Sequence, residues 1–298
     1  MELRIHSILH RQGNRQPIVI APVGDIQWQG PKGPTAKDTL RRHIDEALQQ
    51  DAWFLGMGDY IDFLSPSNRT RLSGAALYDS AMDVIDDKAM DLVHEVYQEF
   101  LRPTRGRWLG MLEGHHYHTL KTGETTDMRL CQLLGAPFLG TCAKVNLRIR
   151  MGGPADSGTH CHVTLWAHHG VGNGQTPAAA LNKLKQEATH HEGVDVFLMG
   201  HTTKAPVDRF PKLYTRWNDR SGPVELHRDV HLVSTGAFTL SRMQGARQGQ
   251  VARGGYAEQK MLPPSSIGAP LVLLYLKRTS TGMDKRHRTI TVDIKVVV

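Results

Sequence analysis

The sequence predicts a mixed α/β fold in which two packed mixed β-sheets are flanked by helices. Three observations carry this. The first half alternates short, continuously apolar runs with stretches of helical periodicity, the pattern of strands buried on both faces between covering helices. The second half turns strand-rich, with longer alternating runs. Five apolar runs also end in a glycine or a polar switch that delivers aspartate or histidine: Val23-Gly24-Asp25, Met57-Gly58-Asp59, Glu113-Gly114-His115-His116, Ala167-His168-His169-Gly170 and Met199-Gly200-His201. Open α/β sheets gather ligands beyond the C-terminal ends of their strands, so residues this far apart in sequence can converge there.

In order, residues 17–23 form a buried strand that delivers Asp25. A polar Gly/Pro loop, 27–34, leads to a helix over 35–50, where Leu40, Ile44, Ala47 and Leu48 fall at helical spacing. Residues 52–57 are the next strand. A helix spans about 75–101, with Met82, Ile85, Met90, Val93, Val96 and Phe100 along one side, and Pro103 closes it. Residues 107–112 are a third strand, and 144–151 and 159–167 two longer ones. In the last of these, alternation sets Cys161, Val163, Leu165 and Ala167 on one face and His160, His162, Thr164, Trp166 and His168 on the other. A helix over 176–190 and a strand over 194–199 follow. Further strands lie near 227–234, 271–277 and 289–298, and the Gly-, Arg- and Gln-rich segment 241–268 is expected to be a long loop beside the site.

The 298 residues suit one compact domain, 1–298, and 40% apolar with 22% charged residues excludes a disordered chain. No apolar stretch approaches the roughly 20 residues of a membrane span. The first residues lack a signal-peptide core, and Cys131, Cys142 and Cys161 build no disulfide framework, so a cytoplasmic location is expected. A net charge of +7 favours anionic partners, phosphate-bearing substrates above all. Of the basic clusters, Lys204-Arg209-Lys212-Arg216-Arg220 follows the His201 loop directly and is expected to flank it.

Taken in order, D-x-Q (Asp25, Gln27), GDxxD (Asp59, Asp62), GHH, HHG and GHxT resemble the calcineurin-like metallophosphoesterase superfamily, whose pattern is D-x-H, GDxxD/N, GNHD/E, H and GHxH. The resemblance spans Asp25 to Thr203. It implies a metallophosphoesterase-like α/β sandwich with two divalent cations, bridged by one carboxylate, that activate a water and clamp phosphoryl oxygens. By the same resemblance Asp59 is the bridge, Asp25 binds the first metal, and His115, His168 and His201 bind the second. His116 assists the leaving group or steadies the phosphate. Within the pair His168-His169, His168 is chosen because it continues the polar face of its strand.

The departures carry information too. Gln27 and Thr203 stand where the superfamily has imidazoles, leaving an all-oxygen first site; His115 replaces an amide and makes the second site nitrogen-rich. Nitrogen-rich sites suit zinc or iron, and oxygen sites suit manganese or magnesium. The expectation is an unequal pair: a tight zinc- or iron-like ion on Asp59, His115, His168 and His201, and a weak manganese- or magnesium-like ion on Asp25, Gln27 and Asp59. Tyr117 replaces the carboxylate that orients the catalytic histidine, so His116 is expected to lack an anchor. Asp62 is assigned to capping the following helix or turn, His118 to a loop, and His190 and His191 to the end of their helix. Asp62 is followed by Phe63-Leu64, without the arginine of the phosphoprotein phosphatases. The histidine loops look more like the branch of DNA-repair exonucleases and phage phosphoesterases. The expected function is therefore a phosphodiesterase acting on nucleic acid or nucleotides. The alternative is a degenerate, non-catalytic member that binds nucleic acid or a protein partner.

Overall fold

The computed structural model describes residues 1–11, 16–75, 78–152, 160–172, 176–218, 222–243, 245, 247–248, 251–252, 256–281 and 287–298. The strands are β1 (Glu2–Arg11), β2 (Ile18–Val23), β3 (Trp53–Gly56), β4 (Trp108–Met111), β5 (Cys142–Gly152), β6 (His160–His168), β7 (Val196–Met199), β8 (Val207–Asn218), β9 (Gly222–Ser234), β10 (Arg247–Gln248), β11 (Val251–Ala252), β12 (Leu271–Thr281) and β13 (His287–Val297). The helices are α1 (Lys37–Gln49), α2 (Pro66–Ser73), α3 (Asp79–Val96), α4 (Thr126–Leu134), α5 (Pro177–His190) and α6 (Tyr256–Gln259).

Two mixed sheets form the body. One has the order β1-β5-β6-β7-β9-β8 and the other β13-β12-β2-β3-β4. The runs β2-β3-β4 and β6-β7-β9 are parallel, which directs their C-terminal ends to the rim where the acidic and imidazole loops begin. Alternation along each strand sorts side chains between layers. Ile18, Ile20, Leu55 and Leu109 meet Val145, Leu147, Val163, Leu165 and Leu198 between the sheets. Val19, Ala21, Phe54 and Trp108 face the other way, under α1, α3 and α4. Trp166, Phe197, Val230 and Leu232 lie under α5. β2 is buried throughout because both of its faces are covered.

The structure adds β1, α2, α4 and β8 to the expected elements. In β1 polar residues interrupt the apolar ones, and residues 208–218 present charge more strongly than alternation. The helix expected over 75–101 starts at Asp79 and closes through a π turn, Tyr97–Leu101, and a 3-10 turn, Arg102–Thr104, that holds Pro103. The expected loop 241–268 contains β10, β11 and α6, and its residues 244, 246, 249–250 and 253–255 lie outside the described ones. Among the described residues no helix is long and apolar enough to cross a membrane.

Candidate metal centre

The exit loops of β2 and β3 run side by side. The Asp25 N–H donates to Gly58 O at 2.9 Å, Gln27 N–H to Asp59 O at 2.9 Å and Asp62 N–H to Trp28 O at 3.0 Å. The backbone is unusual here. Asp25 (φ 47°), Gln27 (48°), Asp59 (54°), His201 (64°) and Thr203 (52°) all take the left-handed conformation. Such conformations cost on the order of 1–3 kcal/mol each and persist where surrounding structure enforces them, often at functional sites. The glycines in these loops allow the close approach. A Cβ on Gly58 would lie 2.5 Å from His169 Nδ1 and 2.8 Å from Gly114 Cα, and one on Gly114 would overlap the Asp59 backbone nitrogen and Oδ1. The recurrent Gly-Asp and Gly-His pattern thus reflects loops stacked too tightly for a side chain.

On this frame His115, His169 and His201 bring three imidazoles together, one nitrogen of each within 4.8 Å of the others. His115 Nδ1 and His201 Nδ1 are 3.3 Å apart. Two nitrogens bound at about 2.05 Å to a tetrahedral ion sit about 3.3 Å apart, so the spacing fits a shared cation. His169 is held by a 2.6 Å hydrogen bond between Nδ1 and Met57 O, which leaves Nε2 facing inward; metal-binding histidines are commonly oriented through the second nitrogen in this way. Asp59 Oδ1 accepts the N–H groups of His115 and of His116, the latter at 3.1 Å. Its Oδ2 lies 3.4 Å from His169 Nε2. Asp25 Oδ2 accepts the His201 N–H at 2.9 Å.

Asp25 Oδ1, Asp59 Oδ2 and His169 Nε2 are buried without a hydrogen-bond partner. Stranding three such atoms together is costly, and a divalent cation would satisfy all three donor types. The residues present therefore fit a metal ion.

The charges agree with this. Burial pushes the Asp25 carboxyl up to about 7, against the pull of the His169 charge. Burial would raise Asp59 as well, but the charges of His169 and His116 and the His115 N–H outweigh it and hold Asp59 well below the usual carboxylate range. Burial opposes the His169 charge, yet Asp59 and Asp25 raise that imidazole to about 9. Burial, and then the His169 charge, push His115 and His201 down to about 4, so both are neutral near pH 7. Metal-free protein must release the His169 proton to take up a cation. Affinity should therefore rise about tenfold per pH unit up to pH near 9. Titration calorimetry in buffers of different ionisation enthalpy should show about one proton released per ion near pH 8. Uptake without proton release contradicts this assignment.

The structure corrects the choice of His168. The His168 end of the polar face of β6 packs beside α5 through Trp166, on which His168 stacks at 5.8 Å, and the His168 Nδ1 accepts the Gly170 N–H at 2.7 Å. The chain turns after β6, and it is His169 that reaches inward. Gln27 and Thr203 keep the left-handed backbone beside the centre.

His116 has an anchor after all. Its Nδ1 bonds Asp62 Oδ1 at 2.6 Å, and Gln29 Nε2 donates to Asp62 Oδ2 at 2.5 Å. Its Nε2 lies 3.9 Å from Asp59 Oδ2. Burial pulls the His116 pKa down, but the Asp62 hydrogen bond and the charges of Asp59 and Asp62 raise it overall. Asp62 therefore does not cap α2; Ser65 does. Tyr117 packs against Arg69, whose guanidinium lies 3.9 Å from the ring centre and donates to the carbonyls of Leu64, His115 and Tyr117. Behind the loop Asp127 accepts the Gly114 N–H at 2.9 Å. His118 is buried and bonds Asp86 of α3 at 2.6 Å.

Two residues of the basic cluster after His201 have their charge taken up by carbonyl oxygens. Lys204 is buried and donates to Pro264 O, and Lys212 donates to Ala188 O at 2.5 Å. Arg220 lies outside the described residues.

The fold and centre define a two-sheet α/β sandwich with a histidine group at the strand ends that could hold a cation. No protein-family model matches the sequence, and no curated protein matches it. Among solved structures it is similar to the crystal structure of Chaetomium thermophilum Vps29, at 9% identity over 95% of this chain and 97% of that one, with a TM-score of 0.30. So loose a likeness carries no argument about activity.

Proposed function

We propose that the chain is a metal-dependent phosphoesterase acting on phosphodiesters of nucleic acid or nucleotides. The observation that supports this most is the convergence of His115, His169, His201, Asp59 and Asp25, three of them with stranded buried polar atoms, beside the oriented His116–Asp62 pair. His115, His169 and His201 with Asp59 would hold a zinc- or iron-like ion. Asp25 and Asp59, with the Gln27 amide, offer oxygen to a weaker manganese- or magnesium-like ion. A bound cation there supplies a Lewis acid that lowers the pKa of water and neutralises phosphoryl oxygens.

The protein's own groups do the rest. Asp59 is fixed by two backbone N–H groups, so its Oδ2 cannot swing away from the centre. Asp62 holds His116 with Nε2 toward the same space and favours its protonated form, as a proton donor to a leaving oxygen requires. The basic net charge of +7 draws an anionic substrate.

Hydrolysis of bis-p-nitrophenyl phosphate with added manganese or zinc tests the reading. No turnover with any divalent metal moves the protein to the non-catalytic, binding-only alternative. Asp62→Asn gives a finer test. It should lower turnover of an alkyl phosphodiester about 10²-fold. It should change bis-p-nitrophenyl phosphate hydrolysis far less, because that leaving group needs no proton. Equal losses on both substrates contradict the proton-donor role.

A further inference from the structure

We propose that the free edge of β1 pairs antiparallel with the β1 of a second copy, about a two-fold axis through His6, joining two six-stranded sheets into one. β1 ends its sheet and pairs with β5 in unbroken register over all ten residues, from Glu2↔Ala143 to Arg11↔Gly152. Its even-numbered residues face the sheet interface, where Ile8 joins the core and His6 packs edge-on against Trp53 at 4.4 Å. Its odd-numbered residues face outward, leaving Leu3 69%, Ile5 75% and Leu9 55% exposed. The helix packed on this sheet, α5, lies under β7, β8 and β9.

Natural edge strands are blunted by shortness, proline, charge or a bulge, because an unpaired row of N–H and C=O groups is a template for another strand. The other sheet ends use these devices. β4 is four residues long and is flanked by the Met111↔Phe138 bridge. β8 carries Pro211 together with Asp208 and Arg209, and β13 exposes Asp293 and Lys295. β1 has no proline, no bulge and an apolar outer row.

The pattern of β1 selects a second copy as the occupant. Pairing about His6 sets Leu3 against Leu9 of the other copy, Ile5 against the small Ser7, Glu2 against His10, and Arg4 against Ile8. Apolar groups then meet on the outer face, Glu2 is offered an imidazole of opposite charge, and His6 faces its own copy on the axis. Sliding by two residues sets Arg4 against His10 in one direction and against His6 in the other, so this register is the complementary one. A two-fold arrangement closes on itself and leaves no further β1 edge to recruit. The metal centre lies beyond the ends of β2, β3, β6 and β7 and stays open.

Sedimentation equilibrium from about 1 to about 100 µM tests this. The expected result is a mass twice the 33.2 kDa of one chain, and a single-chain mass for Ile5→Lys/Leu9→Lys, with the dissociation constant raised about 100-fold or more. Both residues are exposed in the single chain, so the variant should fold; an unchanged near-ultraviolet circular dichroism spectrum checks this. Hydrogen exchange over residues 3–9 should slow with concentration in the wild type and not in the variant. A single-chain mass at the highest concentration, a dimer that survives both lysines, or concentration-independent exchange in β1 would overturn the proposal.

Discussion

On the proposed function, Asp59→Asn should abolish hydrolysis and leave the fold in place. The amide oxygen still accepts the His115 and His116 N–H groups that now bond Oδ1. The amide nitrogen then stands where Oδ2 lies, 3.4 Å from His169 Nε2, and offers a cation neither charge nor a lone pair. Metal centres contribute several kcal/mol of transition-state charge stabilisation, so kcat/KM should fall about 10³-fold or more. Stability should respond as well. A bound ion raises Tm by mass action, and the variant should lose that rise. In chelator near neutral pH the variant should be less stable than the wild type, because Asp59, held below the usual carboxylate range, and His169, raised to about 9, stabilise each other's charged forms in the folded state. Thermal unfolding with and without metal measures both effects. A variant that keeps a tenth of wild-type activity contradicts the role given to Asp59.

Gly114→Ala should disable the centre through the backbone. A methyl there overlaps the Asp59 nitrogen and Oδ1, atoms that cannot rotate out of the way. Relief requires the two exit loops to separate, which stretches the bonds from His115 and His116 to Asp59 and from Gly114 to Asp127. Overpacking costs about 1–3 kcal/mol, so Tm should fall by about 2–5 °C. Metal affinity and turnover should fall about 10²-fold, as when ligand-orienting contacts are lost. Gly74→Ala is the control. That glycine has φ −83°, and its added Cβ would meet backbone oxygen no closer than 3.5 Å, so stability should hold or rise slightly. Equal behaviour of the two variants contradicts the close-approach argument.

These cases show where the sequence is legible. The parallel strands read clearly because they are buried on both faces: residues 17–23 and 52–57 are apolar without interruption, and their exits carry Asp25 and Asp59. Burial sorted β6 correctly as well, with Val163, Leu165 and Ala167 in the core between the sheets and Trp166 under α5. The error at His168 came from the next step. Alternation says which residues share a face, but the His168 end of that face packs beside α5 through Trp166, and only the turn after the strand decides that His169 reaches the centre. The His116–Asp62 bond was hidden for a similar reason. It joins residues 54 apart whose loops meet where the Phe63 and Leu64 N–H groups donate to His116 O, and no local pattern encodes that contact. β1 was overlooked because its inward row mixes Arg4 and His6 with Ile8, so neither a continuous apolar run nor clean alternation marks it.

Elemental analysis of purified protein after dialysis tests the central claim most directly, with His169→Ala and His168→Ala analysed alongside. The account predicts about one tightly held zinc- or iron-like ion per chain in the wild type, retained by His168→Ala and lost from His169→Ala. No bound ion in the wild type, or an ion lost from His168→Ala and kept by His169→Ala, contradicts it.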